Sequence, residues 1–312
     1  MRPEVNELNQ KAMGGTELMQ HRLHQFVSED LLSNFQIIPS RVRKLDPNKK
    51  SILWLHDLHG DPEVQHLGDE GWQRFDKLVF VSHWQQSMYN AYLGVPFNAG
   101  IVLKNAIVPI EDHKKPDDKI KLIYFSTPHR GLDILVPVFE QLAKEFDNIE
   151  LDVFSSFRLY GWPERDQPYA DLIKKCQQHP RINYHKSVNN EKIRRVLKKS
   201  HIFAYPSTWM ETSCLCLIEA MSAGLMCVHS SLGALPETSS NLTQMYGFDE
   251  NPQFHAEKFY MALKRGIKMY DTGYAKKTLE PQIALQSQIA NSIYSWETRK
   301  LEWKQLLQSM LN

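Results

Sequence analysis

Residues 208–224 read TWMETSCLCLIEAMSAG, with two carboxylates, Glu211 and Glu219, on either side of a run that otherwise looks like core. Glutamate is rarely fully buried unless it is paired, so Glu219 in the middle of an apolar helix needs a partner. A strand ending at Ser207 delivers Glu211 into the loop over a sheet edge; the helix then starts near Ser213 and Gly224 terminates it. Backbone N–H groups of its first turn, with the Thr212 and Ser213 hydroxyls nearby, form an anion site. Glu219 lies about 7.5 Å further along the axis at roughly 1.5 Å per residue. That is about the reach from a diphosphate to the ribose of the same nucleotide, whose vicinal hydroxyls a carboxylate can accept. The competing reading is a Glu219 that snorkels to solvent or pairs with a basic residue. Spacing alone leaves both open.

Outward from this stretch, apolar and β-branched runs alternate with helical patterns. FQIIP (35–39), SILWLH (51–56), KLVFVS (77–82) and GIVLKN (100–105) read as short buried strands. Between them TELMQHRLHQFVSEDLL, PEVQHLGDEGWQRF and HWQQSMYNAYLG have helical spacing. IEDHKKPDDK (110–119) is polar and reads as a linker. The alternation then resumes from KLIYFST to MCVHSS, and the tail from ALQSQIANS to its end is one long amphipathic helical pattern. Strands alternating with helices imply a parallel, doubly wound sheet, here two in series. Such sheets bind ligands at the carboxyl ends of their strands.

Composition narrows the function. The 312 residues suit roughly two domains, and 42% hydrophobic content supplies a core. With 37 basic and 36 acidic residues, no net field draws the chain to nucleic acid. Its four cysteines form no C-x-x-C pair, and three sit in apolar context, as in a reducing compartment. MRPEVNELNQ has no apolar segment of a secretory signal and no run of about 18 apolar residues occurs, so a cytoplasmic protein is expected, with membrane-surface contact left open. No D-x-D, G-x-G-x-x-G or G-x-x-x-x-G-K-[ST] motif is present, which counts against a dinucleotide oxidoreductase or a P-loop enzyme.

AYPSTWMETSCLCLIEAMSAGLMCVHSSLGALPE resembles the E-x7-E signature of retaining glycosyltransferases of family 4, which have the GT-B fold. The resemblance implies an α/β architecture of two Rossmann-like, doubly wound parallel-sheet domains facing a central cleft. Residues 1–109 would be the acceptor-side domain, 110–289 the nucleotide-sugar domain, and 290–312 a helix crossing back to the first. Glu211 would contact the donor sugar, Thr212, Ser213, Cys214 and Leu215 would offer amides to the diphosphate, and Glu219 would hold the ribose. GGTE (Gly14–Glu17) is similar to the family's N-terminal glycine loop, so Gly14 and Gly15 join the donor-binding set. Arg130, in FSTPHRGLDIL, would carry the basic role toward the phosphates and with Glu211 and His56 complete the catalytic set. The partner cation is left open among Lys104, Lys121, Arg158 and Lys186. MRPEVNELNQKAM does not look like the strand the family places before the glycine loop, so the first domain is expected to be short or completed by something else.

The expected reaction is transfer of a hexose from a GDP- or UDP-linked sugar, such as GDP-mannose or UDP-glucose, to a glycan, lipid or protein-linked acceptor with retention of configuration. No cofactor and no metal are expected. WLHDLHGD (54–61) offers His56, Asp57, His59 and Asp61 as a competing metal site. KIRRVLKK (192–199) reads as a solvated helix face with Ile193, Val196 and Leu197 inward. Two other functions fit the same pattern: a nucleotide-sugar epimerase, which needs no acceptor, and a non-catalytic sugar-nucleotide-binding subunit.

Overall fold

The computed structural model describes residues 14–42, 44–272 and 278–312, so the reading of residues 1–13 as lacking a strand lies outside the described residues. The chain divides into two compact units. The first comprises Met1–Val108, Glu211–Leu215 and Ser292–Asn312; the second comprises Pro109–Met210 and Cys216–Asn291.

The first unit opens with α1 (Gly15–Phe26) and α2 (Glu29–Leu32), one predicted helix divided by extended backbone at Val27 and Ser28. A wholly parallel four-stranded sheet follows, of β1 (Phe35–Pro39), β2 (Lys50–Leu55), β3 (Lys77–Phe80) and β4 (Gly100–Val102), in that spatial order. KSILWL is buried at every position but its first because β2 is covered on both faces. α3 (His83–Leu93) is capped by the Ser82 hydroxyl, which accepts from the Gln85 N–H, and ends at Gly94 in the left-handed region. The predicted helix over residues 62–75 does not form. Pro62–Leu67 and Gly71–Arg74 are separate 3₁₀ turns, and a Cβ on Gly71 would stand 2.0 Å from the His66 carbonyl oxygen.

The second unit holds a six-stranded parallel sheet. In chain order its elements are β5 (Ile120–Phe125), α4 (Leu132–Leu142), β6 (Ile149–Phe154), α5 (Ala170–Gln178), β7 (Ile182–Tyr184), α6 (Asn190–Leu197), β8 (Ile202–Tyr205), α7 (Leu215–Ser222), β9 (Met226–Ser230), α8 (Leu235–Ser239), β10 (Gln244–Tyr246), α9 (Pro252–Asp271) and α10 (Glu280–Ile293). The spatial order is β10-β9-β8-β5-β6-β7, so the chain winds outward from β5 in one direction and then in the other. That reversal is the crevice at which such sheets take ligands. α9 lies close on β9, where Gly266 leaves room for the Met226 sulfur; an added Cβ would approach it to 2.8 Å.

The tail is two helices rather than one. α11 (Trp296–Leu311) starts anew because the Ser295 hydroxyl accepts from the Thr298 N–H and Ile107 bridges to Ser295. It belongs to the first unit, where Trp296 and Trp303 are fully buried with Trp54, Met19 and Leu23. Trp54 and Trp303 meet edge to face at 5.0 Å. No described helix is long and apolar enough to cross a membrane.

Candidate functional site

The loop after β2 carries His56 and Asp57, and its backbone is held from several sides. The His56 N–H donates to Ser40 Oγ (3.2 Å), and Thr212 Oγ1 donates to the His56 carbonyl (2.8 Å). Gln85 Nε2 and Tyr89 Oη both donate to the Asp57 carbonyl, at 2.9 and 3.0 Å. Burial pushes the His56 imidazole down to about 3, so it is neutral at neutral pH. Burial raises Asp57, while Arg41, 4.0 Å away, and the Ser40 hydroxyl oppose the rise. Ser40 itself is buried with φ 65°, a left-handed backbone that disfavours any residue with a Cβ. Sequence reasoning missed Ser40 and Arg41, which follow a strand without any motif.

Segment 211–215 is part of this same unit. Ser82 Oγ donates to the Thr212 carbonyl (2.6 Å), so the caps of α3 and of the β2 loop grip the segment together. Leu215 reaches the Trp54 cluster, and a Cβ on Gly15 would lie 3.2 Å from its Cδ1. Gly14 caps α1, and its carbonyl accepts from the Leu18 N–H (3.0 Å). Thus Gly14, Gly15, His56 and Thr212–Leu215 gather in one unit. The first helical residue is Leu215, two positions beyond the start near Ser213 that the sequence suggests, so Thr212 and Ser213 precede the helix. Glu211 and Cys214 are buried.

In the second unit Arg130 ends a 3₁₀ turn, Pro128–Arg130, that follows β5. The turn is seated against the end of β8 by Gly131, whose φ is 104° and whose imagined Cβ lies 2.0 Å from the Pro206 carbonyl oxygen. Thr208 Oγ1 donates to the His129 carbonyl (3.1 Å), and the Arg130 guanidinium stands 5.8 Å from the centre of the Trp209 ring. Burial and the Arg130 charge push His129 down to about 4. Gly131→Ala combines left-handed strain with backbone overlap, and is expected to lose roughly 2–6 kcal/mol of stability. Urea denaturation checks this; an unchanged midpoint would mean that the turn does not sit on Pro206.

Glu219 lies in α7 with 3% of its surface exposed. Asn190 Nδ2 donates to both of its oxygens (3.0 and 2.9 Å), and Arg194 Nη1 approaches Oε1 at 3.4 Å while its Nη2 donates to the Pro109 carbonyl (3.1 Å). Glu219 thus pairs with a basic residue, Arg194. Arg194 is accordingly turned inward and not part of a solvated face. Of the four cations named as possible partners of Arg130, Lys104 lies 6.0 Å over the Tyr294 ring and Lys121 is inside β5. Arg158 stands in the turn Phe157–Tyr160, and Lys186 follows β7 with φ 58°. Among the described residues no group of three or more His, Cys, Asp or Glu is placed to hold a metal ion.

Only the second sheet is doubly wound, since the order β1-β2-β3-β4 of the first, against expectation, runs one way without a reversal. Two parallel-sheet units are the GT-B fold, which solved glycosyltransferase structures share. A glycosyltransferase from Rickettsia africae superposes on the whole chain and 84% of its own with a TM-score of 0.69 at 13% identity. A pneumococcal O-GlcNAc transferase solved with UDP and GlcNAc matches 85% of this chain and 53% of its own, with a TM-score of 0.63 at 14% identity. The chain belongs to the glycosyl transferases group 1 family, whose model matches residues 109–277. A phosphatidylinositol N-acetylglucosaminyltransferase subunit from Homo sapiens is 25% identical over 167 residues, which is 51% of this chain. The match spans 33% of that relative's length.

Proposed function

We propose that the protein is a retaining glycosyltransferase of the E-x7-E type. It would transfer a hexose or N-acetylhexosamine from a UDP-linked donor to a glycan, lipid or protein-linked acceptor. The observation that carries this reading is the seating of the Arg130 turn on the Pro206–Trp209 segment inside the family-matched region. It fixes a cation at the carboxyl end of β8, where a doubly wound sheet receives a nucleotide. UDP is preferred over GDP because the pneumococcal structure was solved with UDP and the human relative is named for N-acetylglucosaminyl transfer.

In this reading Arg130 stabilises charge on the departing diphosphate, and the amides of Thr212–Leu215 offer it further donors. Glu211 orients the sugar, Glu219 accepts from the ribose, and neutral His56 offers a donor or acceptor without adding charge. The leaving phosphate oxygen takes the acceptor proton. A bound divalent cation is not needed for any of these roles. The human relative is named as one chain of a larger enzyme, which favours a second reading: the chain binds donor but turns over only with a further chain.

Calorimetry against UDP, GDP and ADP is the test, with UDP expected to bind tightest and to do so equally in excess EDTA. Failure of all three nucleotides to bind removes the donor reading; binding restored only by Mn²⁺ or Mg²⁺ removes its metal independence. UDP binding without sugar transfer by the isolated chain selects the second reading.

A further inference from the structure

We infer that Ser222 is a positioning residue that ties donor binding at Glu219 to two connections of the chain, an inference that rests on the glycosyltransferase reading. Outside segment 211–215, the chain passes between its units at Val108–Pro109 and again at Asn291–Ser292. The peptide group joining Pro109 to Ile110 is the first of the second unit, and it is held at both ends. Its carbonyl accepts from Arg194 Nη2 (3.1 Å), and its N–H donates to Ser222 Oγ (2.8 Å). The same Ser222 hydroxyl donates to Oδ1 of Asn291 (2.5 Å), the last residue of the second unit. One hydroxyl, on a buried residue, fastens the outgoing and the returning chain at once.

Both groups that hold this peptide are neighbours of Glu219. Arg194 is its ion partner, and Ser222 follows it by three residues on α7, one turn along the same face. The helix is itself fastened nearby. Lys115 Nζ donates to the carbonyls of Ser200 (2.6 Å) and Ala223 (3.0 Å), just beyond the ends of α6 and α7, and Ser287 Oγ donates to the Ser222 carbonyl (2.8 Å). The stretch 110–119, a linker by its sequence, is thus bound down to these helices. In the first unit the two connections are paired again. The Ile107 N–H donates to the Tyr294 carbonyl (2.7 Å), and the Trp296 N–H donates to the Ile107 carbonyl (3.1 Å). Only Val108 stands between the two sets of bonds on the outgoing chain, and only Ser292 and Ile293 on the returning one, so little slack separates them. Ribose hydroxyls donating to Glu219 would therefore bind a carboxylate whose place is set by the groups that hold both connections. By linkage, donor binding and opening of those bonds oppose each other.

The experiment is hydrogen exchange with and without UDP, the nucleotide set at about ten times each protein's own dissociation constant. In the wild type UDP is expected to slow exchange of the Ile110 amide by up to about tenfold, the factor by which a ligand opposes a state that cannot bind it. Segment 289–293 is expected to slow with it. In Ser222→Ala the Ile110 rates with and without UDP should lie within about twofold of each other. A merely structural serine would raise both rates and preserve their ratio, so greater slowing in Ser222→Ala overturns the inference. So does a wild type that binds UDP by calorimetry with no slowing at Ile110. If Ser222→Ala fails to fold or to bind UDP, Asn291→Ala decides, because it spares the bond to Ile110. UDP is then expected to slow Ile110 and no longer segment 289–293, and any other pattern overturns the tie. Absence of UDP binding by the wild type is a separate failure, that of the donor reading itself.

Discussion

Arg130→Ala is expected to slow sugar transfer by about 10²–10³-fold, the effect of removing one preorganised group from a developing anion. The substitution should leave the turn in place. Its backbone is set by the Arg130 N–H donating to the Thr127 carbonyl (3.2 Å) and by Gly131 against Pro206, neither of which uses the side chain. The loss should therefore be chemical and not structural. UDP should weaken markedly, while uridine, which lacks the diphosphate, should bind as before. Arg130→Lys restores a charge but not the planar fork that matches phosphate, and should recover only part of the rate. Wild-type UDP affinity in Arg130→Ala would make Arg130 a surface residue packed near Trp209 and remove it from the mechanism.

The second large effect concerns Glu219. Removing one partner of a buried ion pair leaves the other charge stranded, typically at 3–5 kcal/mol. Glu219→Ala strands Arg194, whose side chain is 19% exposed and retains the Pro109 carbonyl, so about 3 kcal/mol is expected. The double variant Glu219→Ala with Arg194→Met should regain much of that loss, since neither charge is then present. Urea denaturation measures both; equal midpoints for wild type and Glu219→Ala would refute the pair. The ribose role needs a separate readout. Glu219→Gln keeps the shape, and a ribose contact predicts roughly tenfold weaker UDP binding, at about 1.5–3 kcal/mol for a bond to a charged group. The 2′,3′-dideoxy analogue should bind Glu219→Gln and wild type alike. Equal losses for both nucleotides would leave Glu219 as a structural carboxylate alone.

The strands were the legible part of this fold. A parallel sheet covered on both faces writes itself as short continuous apolar runs, and SILWLH, KLIYFST, HIFAYPS and MCVHSS all stand where β2, β5, β8 and β9 form. Helix ends were less legible because their causes are local and weak. The spacing of residues 62–75 suits a helix, but Asp69 and Glu70 take left-handed backbone and Gly71 folds back onto His66. The break between α10 and α11 carries no glycine or proline and rests on a serine cap and a bridge to Ile107, 188 positions away. Long-range pairing hid the environment of Glu219 as well. Asn190 and Arg194 lie 29 and 25 positions before it, and periodicity places them on a helix without naming what that helix faces. The question of a partner for Glu219 was visible; its answer was tertiary.

Ser40 imposes a limit on which sequences can occupy this loop. Its left-handed φ of 65° suits glycine, yet glycine has no hydroxyl to accept from the His56 N–H or to meet the Asp57 carboxylate. Threonine keeps the hydroxyl but adds a branch where even one Cβ is strained. Asparagine tolerates the backbone but brings a longer amide into a fully enclosed position. Each repair of one requirement breaks another, so the position has almost no single-step neighbours that preserve the loop. A different residue at position 40 is compatible with this loop only if the His56 N–H and the Asp57 carboxylate find other partners.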